Sequence, residues 1–164
     1  MSPESLTMEK LTAPAPPLAF EPKTSSPAVV TDLVLALVHT YTVMQKAQMY
    51  HWNVEGSAFF QLHDAFETQY RDAFEALDEI AERIRALGSQ VPADVADRAG
   101  VASGGIDANV MVDDLATCHE GLADHLRAAI AVAQQAGDEV TADLFIGRRQ
   151  VHQKFLWMLR SFRR

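Results

Sequence analysis

One stretch of this chain restricts its fold more than any other: residues 58–87 read as a single uninterrupted helix. Its apolar stripe is Phe59, Leu62, Phe66, Ala73, Leu77, Ile80, Ile84 and Leu87. The steps are those of a helical face, and Ser57 and Gly88 bracket it as cap and stop. The same rod carries His63, Glu67, Asp78 and Glu82, which fall within a sector roughly 100° wide. Glu67 and Asp78 are nevertheless separated by about 16 Å of helix rise. Ligand atoms must lie roughly 2.0–2.6 Å from a bound ion, so the two halves cannot share one ion within one helix. Two copies packed antiparallel about a twofold axis near residues 72–73 would bring His63/Glu67 of each chain to Asp78/Glu82 of the other. With His51 just upstream, the pattern predicts a metal site at a subunit interface.

The rest of the chain is organised around that rod. Six of the seven prolines lie in the first 27 residues, so residues 1–27 are expected to be an extended, poorly ordered arm. Ser26-Pro27 then reads as a helix start, and the domain proper as 28–164. The first helix, about 27–53, has apolar residues on most faces (Leu33, Leu37, Val38, Tyr41, Met44, Ala47), as expected of a helix with several neighbours. A third helix is predicted over about 109–136 on Val112, Leu115, Leu122, Leu126, Ile130 and Val132, ending at Gly137. A fourth follows over about 139–162 on Leu144, Val151, Phe155, Leu159 and Phe162. No strand-like alternation competes. The short first and last connections make antiparallel pairs, whereas the middle one, about 88–108, is long enough to cross the bundle. A short helical turn is expected within it, around Val91–Asp97. The fold class is all-α: a ferritin-like four-helix bundle with one long crossover between helices two and three.

Composition narrows the function. A net charge of −8 argues against a generally basic nucleic-acid binder and suits a protein that handles cations. The single cysteine, Cys118, excludes an internal disulfide and points to a reducing compartment. No apolar run approaches the roughly 18 residues of a membrane span. The first residues lack the charged start and apolar stretch of a signal peptide, so a cytoplasmic location, near the nucleoid if DNA is bound, is expected.

The run His51-Trp52-Asn53-Val54-Glu55-Gly56, then Phe59, Leu62-His63, Phe66-Glu67, Tyr70, and Asp78-Glu79-Ile80-Ala81-Glu82-Arg83-Ile84 resembles the Dps family, the mini-ferritins also called DNA-binding proteins from starved cells. Lys154-Phe155-Leu156-Trp157 fits it too, and the likeness extends from about 28 to 162. The resemblance implies a homo-dodecameric hollow shell that oxidises Fe(II), preferring hydrogen peroxide to oxygen, stores ferric mineral and protects DNA from oxidative damage. It places ferroxidase ligands on His51, His63 and Glu67 of one subunit and on Asp78 and Glu82 of its twofold partner, a set able to hold two irons. A mixed imidazole and carboxylate set suits iron and also admits zinc. The conventional intrachain alternative, Glu-x-x-His on two helices, does not occur in the sequence.

Other residues keep two readings. Trp52 is either an aromatic core anchor or an oxidisable ring able to donate an electron near the iron. Asp138, Glu139 and Asp143 are either ordinary helix-start acids or the lining of a threefold iron pore, Asp143 being the better pore candidate. Trp157 is expected in the core. His39, His119, His125 and His152 are expected in surface or packing roles with no shared site. DNA contact has thin support: the side chains of the arm sum to −1, while Leu144–Arg164 carries six cations and no acid. Arg160, Arg163 and Arg164 are therefore the DNA-binding candidates, against the simpler reading that cations favour a helix C-terminus.

Overall fold

The structure is a computed structural model that describes residues 26–100 and 107–163. The elements are α1 (Pro27–Asn53), α2 (Phe59–Ala86), the short α3 (Val95–Arg98), α4 (Ala108–Gln135) and α5 (Glu139–Phe162). Among the described residues there is no strand. Of the arm expected over residues 1–27, residues 1–25 lie outside them, and Pro27 already belongs to α1.

Helix ends follow from the sequence. Gly88 and Gly137 adopt φ of 82° and 70°, conformations that only glycine reaches without strain. Each closes a Schellman motif. Ser89 N–H reaches Ile84 O at 3.2 Å and Gly88 N–H reaches Arg85 O at 3.0 Å, with Asp138→Ala133 and Gly137→Gln134 repeating the pattern after α4. Two expected caps differ. Ser26 lends no side-chain cap; its carbonyl accepts from Val29 and Val30 instead. α2 starts one residue later than expected, with Ala58 rather than Ser57 at the N-cap, because backbone bonds from Phe59 to Gly56 and from Leu62 to Ala58 close the first turn.

Contacts between side chains give the topology. Tyr50 and Lys46, late in α1, meet Asp114 early in α4, whereas Asp32 near the start of α1 meets His125. Arg83 at the end of α2 meets Asp138 at the start of α5, and Asp72 meets Arg148. Thus α1 is antiparallel to α2 and α4, α5 is antiparallel to α2 and α4, and the end of α2 and the start of α4 lie at opposite ends of the bundle. The crossover is tied to α1 on the way, with Gly100 N–H donating to Thr42 Oγ1 at 2.8 Å and Val95 buried against the core. This is the ferritin-like arrangement with its single long crossover. The predicted turn in the crossover forms, shifted to Val95–Arg98.

Leu33, Tyr50, Phe66, Ile80, Ile84, Leu115, Leu122, Leu126 and Phe145 fill the centre. α1 is long and apolar enough to cross a membrane by length and composition, which residue-by-residue inspection for apolar runs passes over. Its buried residues pack into this bundle core.

α5 departs from expectation. Its buried face is Thr141, Ala142, Phe145, Arg148, His152, Phe155 and Leu159. Leu144 and Val151 sit at the margin, Phe162 is exposed, and Trp157 is 66% exposed rather than in the core. Three polar residues on the inward face, Thr141, Arg148 and His152, shift the helix phase away from the apolar stripe, which carries Trp157 outward.

Candidate metal centre

The loop between α1 and α2 brings two histidines face to face. The His51 and His63 rings stack with centroids 3.7 Å apart. His51 Nδ1 lies 2.9 Å from the carbonyl of His63, and His63 Nδ1 lies 2.8 Å from the carbonyl of His51. A carbonyl only accepts, so each Nδ1 carries the proton and each Nε2 keeps its lone pair. The His51 carbonyl is available because α1 ends at Asn53 and the last turn of a helix leaves carbonyls without intrahelical partners. This is the orientation that metal-ligating histidines need, with the second ring nitrogen fixing tautomer and direction.

Glu67 follows His63 by one turn on the same face. Arg71 donates to its Oε1 from Nε at 2.7 Å. That bond is the main reason the Glu67 carboxyl sits below the ordinary glutamate range, with His51 and His63 adding to it. Tyr70 packs edge-on against His51 at 5.4 Å. Asp78 and Glu82 are exposed and make no ion pair or side-chain hydrogen bond among the described residues. No three His, Cys, Asp or Glu side chains of the described residues gather closely enough to hold an ion. One chain thus unites His51 and His63 beside Glu67, and leaves Asp78 and Glu82 apart from them.

Two exposed phenylalanines share this face with the charged groups. Phe60 and Phe74 are 77% and 67% exposed, and at 100° per residue both lie within the sector that holds His63, Glu67 and Asp78. Trp52, next to His51, is 63% exposed, so within one chain it is no core anchor.

The remaining candidates separate. Asp138 is engaged: it accepts from Thr141 N–H at 3.0 Å and Thr141 Oγ1 at 2.7 Å, and pairs with Arg83 at 2.7 Å. Despite partial burial, those bonds hold its carboxyl below the usual range. Glu139 and Asp143 are exposed. Arg160 pairs with Glu120 at 2.7 Å and Arg163 with Asp113 at 2.9 Å, while Arg164 lies outside the described residues.

Two polar clusters escaped the sequence reading. His119 and His152 do share a site: they are buried and their Nδ1 atoms lie 2.9 Å apart, with His119 Nε2 2.9 Å from Gln69 Oε1. The Gln69 oxygen accepts, so His119 is protonated on Nε2, its Nδ1 accepts, and His152 Nδ1 donates. Burial holds the His119 pKa down at about 4 and that of His152 well below the ordinary value. The signal was present: His119 is in phase with Leu115, Leu122 and Leu126, and His152 with Phe155 and Leu159. The second cluster joins α1 to α4, with Tyr50 Oη donating to Asp114 Oδ2 at 2.5 Å and Lys46 Nζ 2.8 Å from the same oxygen. Burial and then the Asp114 carboxylate push the Tyr50 phenol well above the ordinary tyrosine range.

A ferritin-like domain family matches residues 32–164, and the chain belongs to the ferritin-like proteins. Within them it belongs to the Dps family. The DNA protection during starvation protein of Brevibacillus brevis is 35% identical over 146 residues, covering 85% of this chain and 98% of that protein. The crystal structure of Dps from Staphylococcus aureus superimposes with a TM-score of 0.79 at 33% identity, covering 84% of this chain and 97% of that one. The Dps of Vibrio cholerae, described as a member of a broad superfamily of ferritin-like diiron-carboxylate proteins, has a TM-score of 0.78 at 27% identity and covers 83% and 89%.

Proposed function

We propose that this chain is the subunit of a hollow iron-storing dodecamer in the cytoplasm. In this reading it oxidises Fe(II) at sites shared by twofold-related copies, uses hydrogen peroxide in preference to oxygen, and so protects DNA in starvation. The observation that carries the reading is the reciprocal hydrogen bonding of His51 and His63, which leaves two imidazole lone pairs beside the Glu67 carboxylate.

Two nitrogens and one carboxylate make an incomplete ligand set for a hard divalent ion. Asp78 and Glu82 of a second copy complete it with oxygen donors, which favour iron while leaving zinc as a competitor. The exposed Phe60 and Phe74 supply the apolar contact that such self-pairing needs. The ligand face is also acidic once both copies contribute, so it attracts Fe(II) and balances the charge gained when Fe(III) forms. Glu67 must turn from Arg71 toward the ion, or share its second oxygen with it. Trp52 lies beside the ligands as an oxidisable ring, and Glu139 with Asp143 provides acidic surface for a pore that admits iron. Asp138 drops out of that role because its oxygens are spent on the cap and on Arg83.

DNA contact through Arg160, Arg163 and Arg164 is the weaker reading, since acids on α4 neutralise two of the three. Protection of DNA then acts by removing Fe(II) and peroxide together.

The test is an Fe(II) titration of the assembled protein with peroxide under anaerobic conditions and with oxygen in parallel, read by ferric absorbance and oxidant consumed. Peroxide-driven oxidation is expected to outrun both the oxygen reaction and free iron. Oxidation no faster than that of free iron would contradict the reading.

A further inference from the structure

A cation belonging to the chain itself already sits on the Glu67 carboxylate. Arg71 donates to Glu67 Oε1 from Nε at 2.7 Å, and its Nη2 lies 2.7 Å from the same oxygen. Both contacts fall on Oε1, and no hydrogen bond engages Oε2 among the described residues. At 100° per residue, Arg71 stands about 40° around α2 from Glu67 and about 20° from Asp78, so it belongs to the ligand face. Its guanidinium carbon also lies 5.6 Å from the centre of the Tyr70 ring, and Tyr70 packs edge-on against His51 at 5.4 Å. The guanidinium is thus steered from two sides, by a ligand carboxylate and by a ring that touches a ligand histidine.

An exposed ion pair one helical turn apart is weak when it stands alone. In the paired arrangement, Asp78 of the second copy comes to the same place as Glu67 and offers Arg71 a second carboxylate. A guanidinium carries five donors in a fixed fork and can serve both. Two metal ions that work as a pair sit about 3.5–4 Å apart. A carboxylate spans that gap by giving one oxygen to each ion. Glu67 has Oε2 to give to a first ion, but its Oε1 is taken, and the Arg71 charge stands where the second ion's charge would.

We propose that Arg71 is a positioning residue and resident counter-cation: each site takes one Fe(II) tightly, and a second only by displacing the guanidinium from Glu67. The inference rests on the ferroxidase reading and adds a regulator of site occupancy to it. Paired oxidation consumes two Fe(II) per peroxide. Each Fe(II) gives one electron, the O–O bond breaks, and two protons from solvent complete two waters, leaving two Fe(III). A site with one Fe(II) supplies only one of the two electrons, so Arg71 sets the Fe(II) level at which paired oxidation begins. Its side chain is 65% exposed in one chain, so the guanidinium can leave without disturbing the core.

The experiment titrates the assembled protein anaerobically with Co(II), as a probe of the Fe(II) positions, by calorimetry with visible absorption in parallel. The natural protein should bind one Co(II) per site tightly and a second about tenfold more weakly or worse, because like charges at such short range repel. Arg71→Gln should strengthen the second step by about tenfold, and Arg71→Lys, which keeps the charge, should return it toward the natural value. Arg71→Met serves in place of Arg71→Gln if the latter fails to assemble. Stopped-flow oxidation by peroxide should show the rate per iron rising steeply between one and two Fe(II) per site, and that rise should flatten in the neutral variant. Two Co(II) bound with equal affinity by the natural protein, or a second step that the neutral variant leaves unchanged, overturns this inference and leaves the ferroxidase reading standing. Tight Co(II) binding that survives in His63→Ala removes the shared site itself, and both readings with it.

Discussion

Two pairs of histidines, each joining neighbouring helices, do opposite things in this molecule. His51 and His63 each give their Nδ1 proton to the other's backbone carbonyl, so both Nε2 lone pairs stay free on a half-exposed face. His119 and His152 bond to one another and to Gln69 in the bundle core, where water does not reach. The ring chemistry is the same in both places. What differs is where the far nitrogen lies. The main-chain carbonyls leave both Nε2 atoms on an accessible face for an ion, whereas His119 Nε2 is spent on Gln69 and His152 Nε2, though without a partner among the described residues, is sealed in the core. A backbone-pinned pair is equipped to bind, and a mutually bonded buried pair is equipped to join helices.

The largest expected effect breaks the first pair. His63→Ala should lower the initial peroxide-driven oxidation of Fe(II) by about a hundredfold or more, since loss of mere supporting partners of a ligand already costs 10–100-fold. Stopped-flow ferric absorbance on a verified shell measures this, and circular dichroism should show the helices intact. Glu82→Gln keeps the shape and removes one charge, so its loss should be about tenfold, with growth on preformed mineral affected less. An unchanged early rate would make Glu82 an ordinary solvated acid.

The core pair should answer to pH. His119 has a folded pKa of about 4 against an ordinary 6.5, so the unfolded chain takes up protons first as pH falls. Its contribution is complete above pH 6.5 and is lost between 6.5 and about 4, amounting to about 3 kcal/mol per chain from His119 alone. Urea unfolding followed across that window should show the decline, and the His119→Leu, His152→Leu double variant should flatten this component. At pH 7, His152→Leu alone leaves the His119 acceptor unpaired and should cost about 1–3 kcal/mol with little change in iron oxidation.

The smallest expected effect concerns DNA. Replacing Arg160 and Arg163 with Gln should alter electrophoretic retardation of DNA only slightly at physiological salt, because Glu120 and Asp113 already pair with them. A large loss of retardation would restore the arginine end as a DNA site.

The fold was legible in the sequence where spacing alone decides the outcome. Apolar steps of three and four, closed by Gly88 and Gly137, give the helices to within a residue or two. The long 88–108 connection gives the crossover. Hydrophobic spacing does not reveal which polar residues point inward. Arg148 and His152 lie on the buried face of α5, where Arg148 pairs with Asp72 from α2 at 2.6 Å, and that choice turns Trp157 out. In the candidate centre, helix rise shows that Glu67 and Asp78 cannot share an ion. The loop geometry that stacks His51 on His63 is invisible until α1 and α2 are packed. Of the two readings the sequence left open for Asp138, the helix-start acid is the one its bonds express: following Gly137, it is the cap that opens α5.

The central claim is that each site takes ligands from two chains, and mixed assembly tests it most directly. His63→Ala and Asp78→Ala chains are each inactive alone in this account, being defective in opposite halves of the site. Refolded together, they should regain iron oxidation, because one of the two sites in each mixed dimer receives natural ligands from both partners. Mixed shells confirmed by mass spectrometry that remain inactive, while the natural protein refolds to full activity under the same conditions, would contradict a site shared between subunits.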